Sequence, residues 1–150
     1  MRRSGLALAG AQTTLDSWRK GKAVPPEEDG ILTAEEASGL DLGGTWLVVL
    51  SACDTGIGAI HPAEGVMGLR RAFIQAGAQN LLMTLWPIAD EKTVLMMSDF
   101  YEAAVQSGDP PRALAETQRN WLVRLREEEG LFTSVKIAAP FILTFQGPYP

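Results

Sequence analysis

The chain has 150 residues and a mass of 16.2 kDa, which is the size of one domain. Hydrophobic residues make up 46% and charged residues 21% of it, and this balance excludes wholesale disorder. A net charge of −5 with scattered basic residues argues against nucleic acid as a partner, and no apolar run has the length of a membrane span. The single Cys and single His exclude a disulfide framework and multi-cysteine metal sites, so we predict no metal site.

The first 45 residues are the irregular part of the chain, and they predict a hairpin, a loop and a short helix. Residues 6–9 fit one strand, the charged and proline-rich residues 18–30 an exposed loop, and residues 31–32 the returning strand. Thr33 with Glu36 three residues later forms a capping-box signature, which predicts a short helix over residues 34–38.

Residues 46–150 predict a regular α/β part. Continuous apolar runs at residues 46–50 and 81–86 are typical of buried parallel strands, and Pro140 precedes a last strand at 141–145. Helices are predicted over residues 64–76, over 90–106 and from 110 to about 127, with Asp90 and Asp109 as N-caps. The predicted apolar face of the helix over 90–106 is formed by Val94, Met97, Tyr101 and Val105. That of the helix from 110 is formed by Leu114, Trp121, Leu122 and Leu125.

This order of strands and helices predicts a parallel sheet with helices on its faces. Ligands of such sheets bind beyond the carboxyl ends of the strands. The glycine-rich residues 51–63 and the residues 87–90 each follow a predicted strand. We therefore expect both loops at the same functional edge.

Cys53 is the candidate nucleophile, because it follows the last apolar residue of the first buried strand by three positions and has small neighbours. Gly56 and Gly58 allow a sharp turn, so that backbone N–H groups can point at a developing oxyanion. A buried Cys that acts as a small apolar residue explains its position equally well.

Several short motifs occur in a fixed order. They are Leu-Ser-Ala-Cys-Asp-Thr-Gly at residues 50–56, Glu-Gly-Val at 64–66, Leu-Arg-Arg-Ala-Phe at 69–73, Ala-Gly-Ala at 76–78, Leu-Trp-Pro-Ile-Ala-Asp at 85–90 and Phe-Tyr at 100–101. This set resembles the CHAT domain, a caspase-like peptidase family related to caspases and separases and often fused to TPR repeats. Residues 3–10, 30–36, 113–114 and 140–141 extend the resemblance over nearly the whole chain.

The resemblance implies a caspase-like, mostly parallel sheet flanked by helices and a cysteine endopeptidase that acts on a protein substrate. Cys53 would be the nucleophile and would contribute its N–H to the oxyanion site. The family requires no cofactor, and attached TPR repeats or a regulatory partner usually switch it on. From the free thiol and the weak apolar start of the sequence, we expect a location in the reducing cytoplasm.

The resemblance also implies a general-base His in a His-Gly pair, at the end of a strand before the hairpin. No residue pair here matches it, so residues 1–150 resemble the C-terminal portion of one CHAT domain, with a sheet incomplete on its N-terminal side. His61, eight residues after Cys53, is a weak alternative base, and a solvated loop histidine is the favoured interpretation.

Four residues are candidates for substrate binding. Related separases resemble this sequence around Asp90 and read a basic residue with acids there, although Asp90 also suits a helix N-cap. Asp54 flanks the nucleophile, and Glu64 begins a helix, where a carboxylate favours the helix dipole. Trp86 is either a pocket wall or a core residue. The three acids together predict a basic residue before the scissile bond.

Two other functions remain open. Natural loss of the histidine portion would leave an inactive caspase-like interaction module. A doubly wound nucleotide-binding domain is a weaker alternative, because Gly56 and Gly58 lack a third glycine at the fingerprint spacing and no P-loop lysine follows. An incomplete sheet also predicts an exposed edge, through which a second copy of the chain can pair.

Overall fold

The computed structural model of the chain describes residues 5–25, 29–50, 62–86, 88 and 90–147. These residues fold as two compact units. The first unit is drawn from residues 1–43 and 54–77, and the second from residues 44–53 and 78–150. Among the described residues, no helix combines the length and the apolar character that a membrane crossing needs.

The first unit contains the predicted hairpin. Strand β1 (Gly5–Ala7) pairs antiparallel with β2 (Ile31–Thr33), so that Gly5 lies opposite Thr33. Helix α1 (Ala11–Arg19) lies between them in the chain, where no helix was predicted. The segment predicted as a loop therefore begins inside α1. Because α1 starts after Gly10 without a side-chain cap, it lacks the usual N-terminal signal.

The predicted capping box is confirmed in helix α2 (Ala34–Ser38). The Thr33 hydroxyl accepts a hydrogen bond from the Glu36 backbone N–H at 3.2 Å. In return, a Glu36 carboxylate oxygen accepts from the Thr33 backbone N–H at 2.8 Å and from its hydroxyl at 2.8 Å. This exchange fixes the first turn of α2, whose residues Ala34 and Ala37 are buried, and α2 packs against helix α3 (Pro62–Gln75) within the same unit.

The capping box predicts a pH-dependent stability. Its hydrogen bonds, with that of the Thr33 backbone as the largest cause, hold the pKa of Glu36 below the ordinary value of 4.5. The stability that the ionised Glu36 contributes is fully present above about pH 4.5, and it disappears as the pH falls through the lower pKa of the folded state. In urea unfolding, Glu36→Gln should therefore have a lower free energy of unfolding than the wild type, and the difference should be larger at neutral pH than at about pH 3. Equal deficits at both pH values would contradict this assignment.

The second unit contains a three-stranded sheet in the order β3 (Val48–Leu50), β4 (Asn80–Thr84) and β5 (Phe141–Phe145). Strands β3 and β4 are parallel, with Leu50 opposite Met83, which confirms the predicted parallel pair. Strand β5 is antiparallel to β4, with Phe141 opposite Thr84. The described strands thus form a mixed rather than a mostly parallel sheet.

Two long helices explain the reversed direction of β5. Helix α4 (Asp90–Ser107) carries the chain away from the carboxyl end of β4, and α5 (Pro110–Glu129) carries it back. A single crossover helix would have returned the chain for another parallel strand. Helix α6 (Leu131–Ala138), which the sequence did not predict, then leads into β5. The predicted cap of α5 is confirmed, since the Asp109 carboxylate accepts from the Arg112 N–H at 3.1 Å.

The core of the second unit lies between these helices and the sheet. The predicted face of α5 is confirmed, with Leu122 half-buried and the other three residues buried. The predicted apolar face of α4 is wrong as a core face, because Val94 and Val105 are 66% and 73% exposed. The buried residues of α4 are Thr93, Met96, Phe100 and Ala104. Both sets have helical spacing, so periodicity alone could not choose between them.

Candidate functional site at the carboxyl edge of the sheet

The carboxyl ends of β3 and β4 lie at one edge of the sheet. Because the two strands are parallel and Leu50 lies opposite Met83, the chain leaves both strands on the same side. Phe141 enters β5 opposite Thr84, and the Leu85 N–H donates to the Pro140 carbonyl at 2.9 Å just beyond it. The predicted nucleophile Cys53 and its neighbours Asp54 and His61 lie outside the described residues.

Trp86 is held directly after β4. Its side chain is half-buried, and its indole N–H donates to the Lys136 carbonyl of α6 at 3.2 Å. The two remaining candidates occupy the starts of helices, with Glu64 in the first turn of α3 and Asp90 at the first residue of α4. Trp86 and Asp90 thus both belong to the segment that follows β4, whereas Glu64 belongs to the other unit.

A small cavity lies at this edge, between the sheet and α4. It has a volume of about 90 Å³. Its walls include the end residues Leu50 and Thr84 of the parallel strands, Ile88 of the connecting segment and Thr93 and Met97 of α4. This volume accommodates one aliphatic side chain or a few water molecules, since a water occupies about 30 Å³ in the liquid.

Thr93 is one of the polar residues that line the cavity, with Thr84 and Tyr101, and it was not singled out from the sequence. The residue is 8% exposed, and its Oγ1 is buried without a hydrogen-bond partner among the described residues. The one signal in the sequence is its place on the alternative face of α4, seven residues before the buried Phe100. That signal is visible only once the buried face is known.

A larger groove between α4 and α5 has a volume of about 440 Å³, and several of its polar side chains already have partners. The Trp121 indole N–H donates to the Asp99 carboxylate at 2.7 Å, and the Arg124 guanidinium lies 3.9 Å from the Trp121 ring centroid. Glu116 accepts from Arg112 at 2.8 Å. The Trp121–Asp99 hydrogen bond joins the two helices, and the other two contacts lie within α5. Since all described lining residues belong to α4 and α5, we assign the groove a structural role.

Metal-binding side chains do not come together in the part of the chain that the structure describes. Within it, no group of three or more His, Cys, Asp or Glu side chains has the geometry to hold a metal ion.

Comparisons with known proteins place these features in a family. The profile of the CHAT domain matches residues 1–142. Tetratricopeptide repeat protein 28 of Mus musculus and that of Homo sapiens are each 33% identical over 95 residues, which is 63% of this chain. The chain spans only 4% of the length of these two curated relatives. Since the profile covers most of the chain, the chain belongs to the CHAT domain family.

Proposed function

We propose that this chain is the nucleophile-bearing part of a caspase-like cysteine endopeptidase. The observation that carries the proposal is the parallel β3–β4 pair, which ends at Leu50, three residues before Cys53, at the edge where such sheets bind ligands. The membership of the CHAT family supports the same chemistry.

In the proposed reaction, the thiolate of Cys53 attacks the carbonyl carbon of a peptide bond in a protein substrate. The tetrahedral oxyanion collapses to a thioester, and the leaving amine takes a proton from a general acid. Water then hydrolyses the thioester, which releases the new carboxyl terminus and restores the thiol. This sequence of steps requires no metal or redox cofactor, because the nucleophile is a side chain and the second reactant is water.

The general base is proposed to come from outside residues 1–150, from a strand that completes the sheet. Among the described strands, β3 pairs only with β4, so its other edge is open. Trp46 and Leu47 before β3 and Val49 within it are only partly buried, although apolar parallel strands are normally covered on both sides. An added strand at this edge would extend the sheet toward the caspase-like arrangement.

The partners of the domain are also part of the proposal. The curated relatives carry the name of tetratricopeptide repeat proteins, which supports attached TPR repeats as the regulatory element. The preference for a basic residue, expected from Asp54, Glu64 and Asp90, stays a prediction. A reducing cytoplasm, where a lone thiol remains free, suits the proposed chemistry.

The proposal is tested by labelling Cys53 in the full-length protein with a peptide electrophile that mimics an acyl donor. Because Cys53 is the only Cys of the 150 residues, a mass shift on its tryptic peptide identifies the site. We expect rapid labelling by the peptide electrophile, and complete loss of labelling on this peptide in Cys53→Ala.

Iodoacetamide is the matched control reagent, since it reports thiol exposure without a substrate site. A peptide electrophile that reacts no faster than iodoacetamide would overturn the peptidase proposal and favour an inactive interaction module. His61→Ala should label as fast as the wild type, since the base is expected elsewhere. Slow labelling of His61→Ala would instead assign the base to His61.

A further inference from the structure

Helix α4 has a second apolar face, which the described part of the chain leaves largely exposed. This outer stripe consists of Val94, Met97, Tyr101 and Val105, the same residues that the sequence pattern placed in the core. Val94 and Val105 are 66% and 73% exposed, Tyr101 is 42% exposed and Met97 is half-buried. Helices with apolar residues on all sides are normally buried on all sides, so the outer stripe indicates an interaction surface.

The outer stripe is continuous with the open edge of β3. Val49 and Leu50 of β3 line one cavity together with Met97 and Tyr101 of the stripe. Among the described strands, β3 pairs only with β4, so its other edge presents backbone N–H and C=O groups that no described strand pairs. An apolar helix face alone accepts many partners, but a strand edge beside it selects a partner that supplies another strand.

We propose that a second copy of this chain covers this surface, with the β3 strands of the two copies antiparallel about a two-fold axis normal to the sheet. A rotation about this axis keeps both copies of α4 on the same face of the joined sheet and makes them antiparallel. One rotation therefore pairs the two strand edges and also lays one outer stripe along the other. Such a contact uses the same surface on both copies, so the association ends at a dimer.

The spacing of strands and helices fits this dimer. The cavity beneath α4 has walls from both β3 and β4, so we place α4 above the gap between these two strands. The two-fold axis lies half a strand spacing beyond β3, which puts α4 about one strand spacing, roughly 4.8 Å, from the axis. The two copies of α4 are then about 10 Å apart, which is a normal distance between packed helices.

The register along α4 fits the same axis. Met97 and Tyr101 line the cavity with Val49, the middle residue of β3, and the midpoint between them on α4 is residue 99. An axis that passes Val49 therefore crosses α4 near residues 99–100. Antiparallel helices in this register place Val94 of one copy opposite Val105 of the other, so the two most exposed residues of the outer stripe cover each other.

Charged side chains of α4 do not oppose the contact. In this register Glu91 of one copy lies opposite Gly108 of the other, and Glu102 lies opposite Met97. Asp99 is directed toward α5, where its carboxylate accepts the Trp121 indole N–H. The net charge of −5 makes the two copies repel each other at long range, and salt screens this repulsion. We therefore expect added salt to strengthen the dimer.

The dimer uses the same edge of β3 at which the proposed function places the base-bearing strand. A second copy and that strand therefore compete for the edge, and the dimer forms where the strand does not occupy it. The inference depends on the open edge and the outer stripe, and not on peptide hydrolysis. Failure of Cys53 to react selectively would overturn the peptidase proposal alone, whereas failure to dimerise would overturn this inference alone.

Sedimentation velocity of the 150-residue chain, from low to high micromolar concentration, tests the dimer. We expect a monomer–dimer equilibrium. Val105→Lys places a charge in the contact between the outer stripes and should raise the dissociation constant at least about tenfold. Val123→Lys is the matched control, because Val123 is an exposed valine of α5 outside the stripe, and it should change the constant by less than about twofold. Both positions are exposed, so unchanged circular dichroism should show that both variants fold.

Hydrogen–deuterium exchange locates the contact on β3. Amides at residues 48–50 that point out of the open edge should exchange more slowly at high than at low protein concentration in the wild type, but not in Val105→Lys. A chain that stays monomeric at every concentration would overturn the inference. A dimer that Val105→Lys leaves intact, that added salt dissociates, or that does not protect residues 48–50 would overturn it as well, because the contact would then lie elsewhere.

Discussion

Phe100→Ala is expected to lower the free energy of unfolding by about 3–5 kcal/mol, which is a large part of the stability of a domain of this size. The Phe100 side chain is completely buried on α4, in the cluster that α4 forms with α5, α6 and the sheet. Removing the ring deletes apolar contacts and leaves a void that the neighbouring residues Trp121 and Leu82 can only partly fill. Urea unfolding followed by circular dichroism measures the loss.

Val105→Ala is the matched control on the same helix. Val105 is 73% exposed, so truncating it removes few contacts and should change the stability by no more than about 0.5 kcal/mol. The pair also tests the orientation of α4, for which the apolar face predicted from the sequence was wrong. A large loss for Val105→Ala with a small loss for Phe100→Ala would reverse the assignment of the buried face.

The orientation of α4 shows where sequence patterns stop being informative. Helix α5 has one apolar stripe on an otherwise charged helix, so a single face satisfied the pattern and the prediction was confirmed. Helix α4 has two apolar stripes at the same spacing, and packing against α5 and the sheet chose the one with Phe100. Tertiary contacts, and not the periodicity, determine which face of α4 is buried.

Local side-chain chemistry was the more reliable guide to helix boundaries. The capping box at Thr33 and the cap at Asp109 could be predicted because their hydrogen bonds join residues three positions apart. Helices α1 and α6 have no side-chain cap, and their N-cap positions are occupied by Gly10 and Gly130. The antiparallel direction of β5 could not be predicted either, because it depends on how two helices pack rather than on the sequence of the strand itself.

The candidate site, too, could be predicted only in part from the sequence. The edge of the sheet could be predicted, since two apolar runs followed by loops define a parallel pair and its carboxyl ends. The cavity at that edge could not be predicted. Its walls come from all three strands of the sheet, from Ile88 and from α4, and these meet only in the folded chain. Thr93 becomes conspicuous only when its burial is known.

Gly30→Ala is expected to destabilise the first unit by about 2–5 kcal/mol, because it combines a strained backbone with a steric clash. Gly30 has a φ of +67°, and an L-residue in this left-handed region costs about 1–2 kcal/mol. An added Cβ would lie 2.7 Å from the Ala11 nitrogen and 2.7 Å from the Ala9 oxygen. Both are backbone atoms at the junction of β1 and α1, so relieving this overpacking costs about 1–3 kcal/mol more.

Gly21→Ala separates the two causes in the same unit. Gly21 has a φ of +70°, nearly that of Gly30, but a Cβ there would meet nothing within 4 Å. Gly21→Ala should therefore lower the free energy of unfolding only by the cost of the left-handed backbone conformation, about 1–2 kcal/mol. The extra loss in Gly30→Ala then measures how tightly the turn before β2 packs on the β1–α1 junction, where the Leu8 N–H donates to the Gly30 carbonyl at 2.8 Å. Equal losses of unfolding free energy in the two variants would show that the junction can rearrange at little cost. The hairpin would then not depend on this close approach.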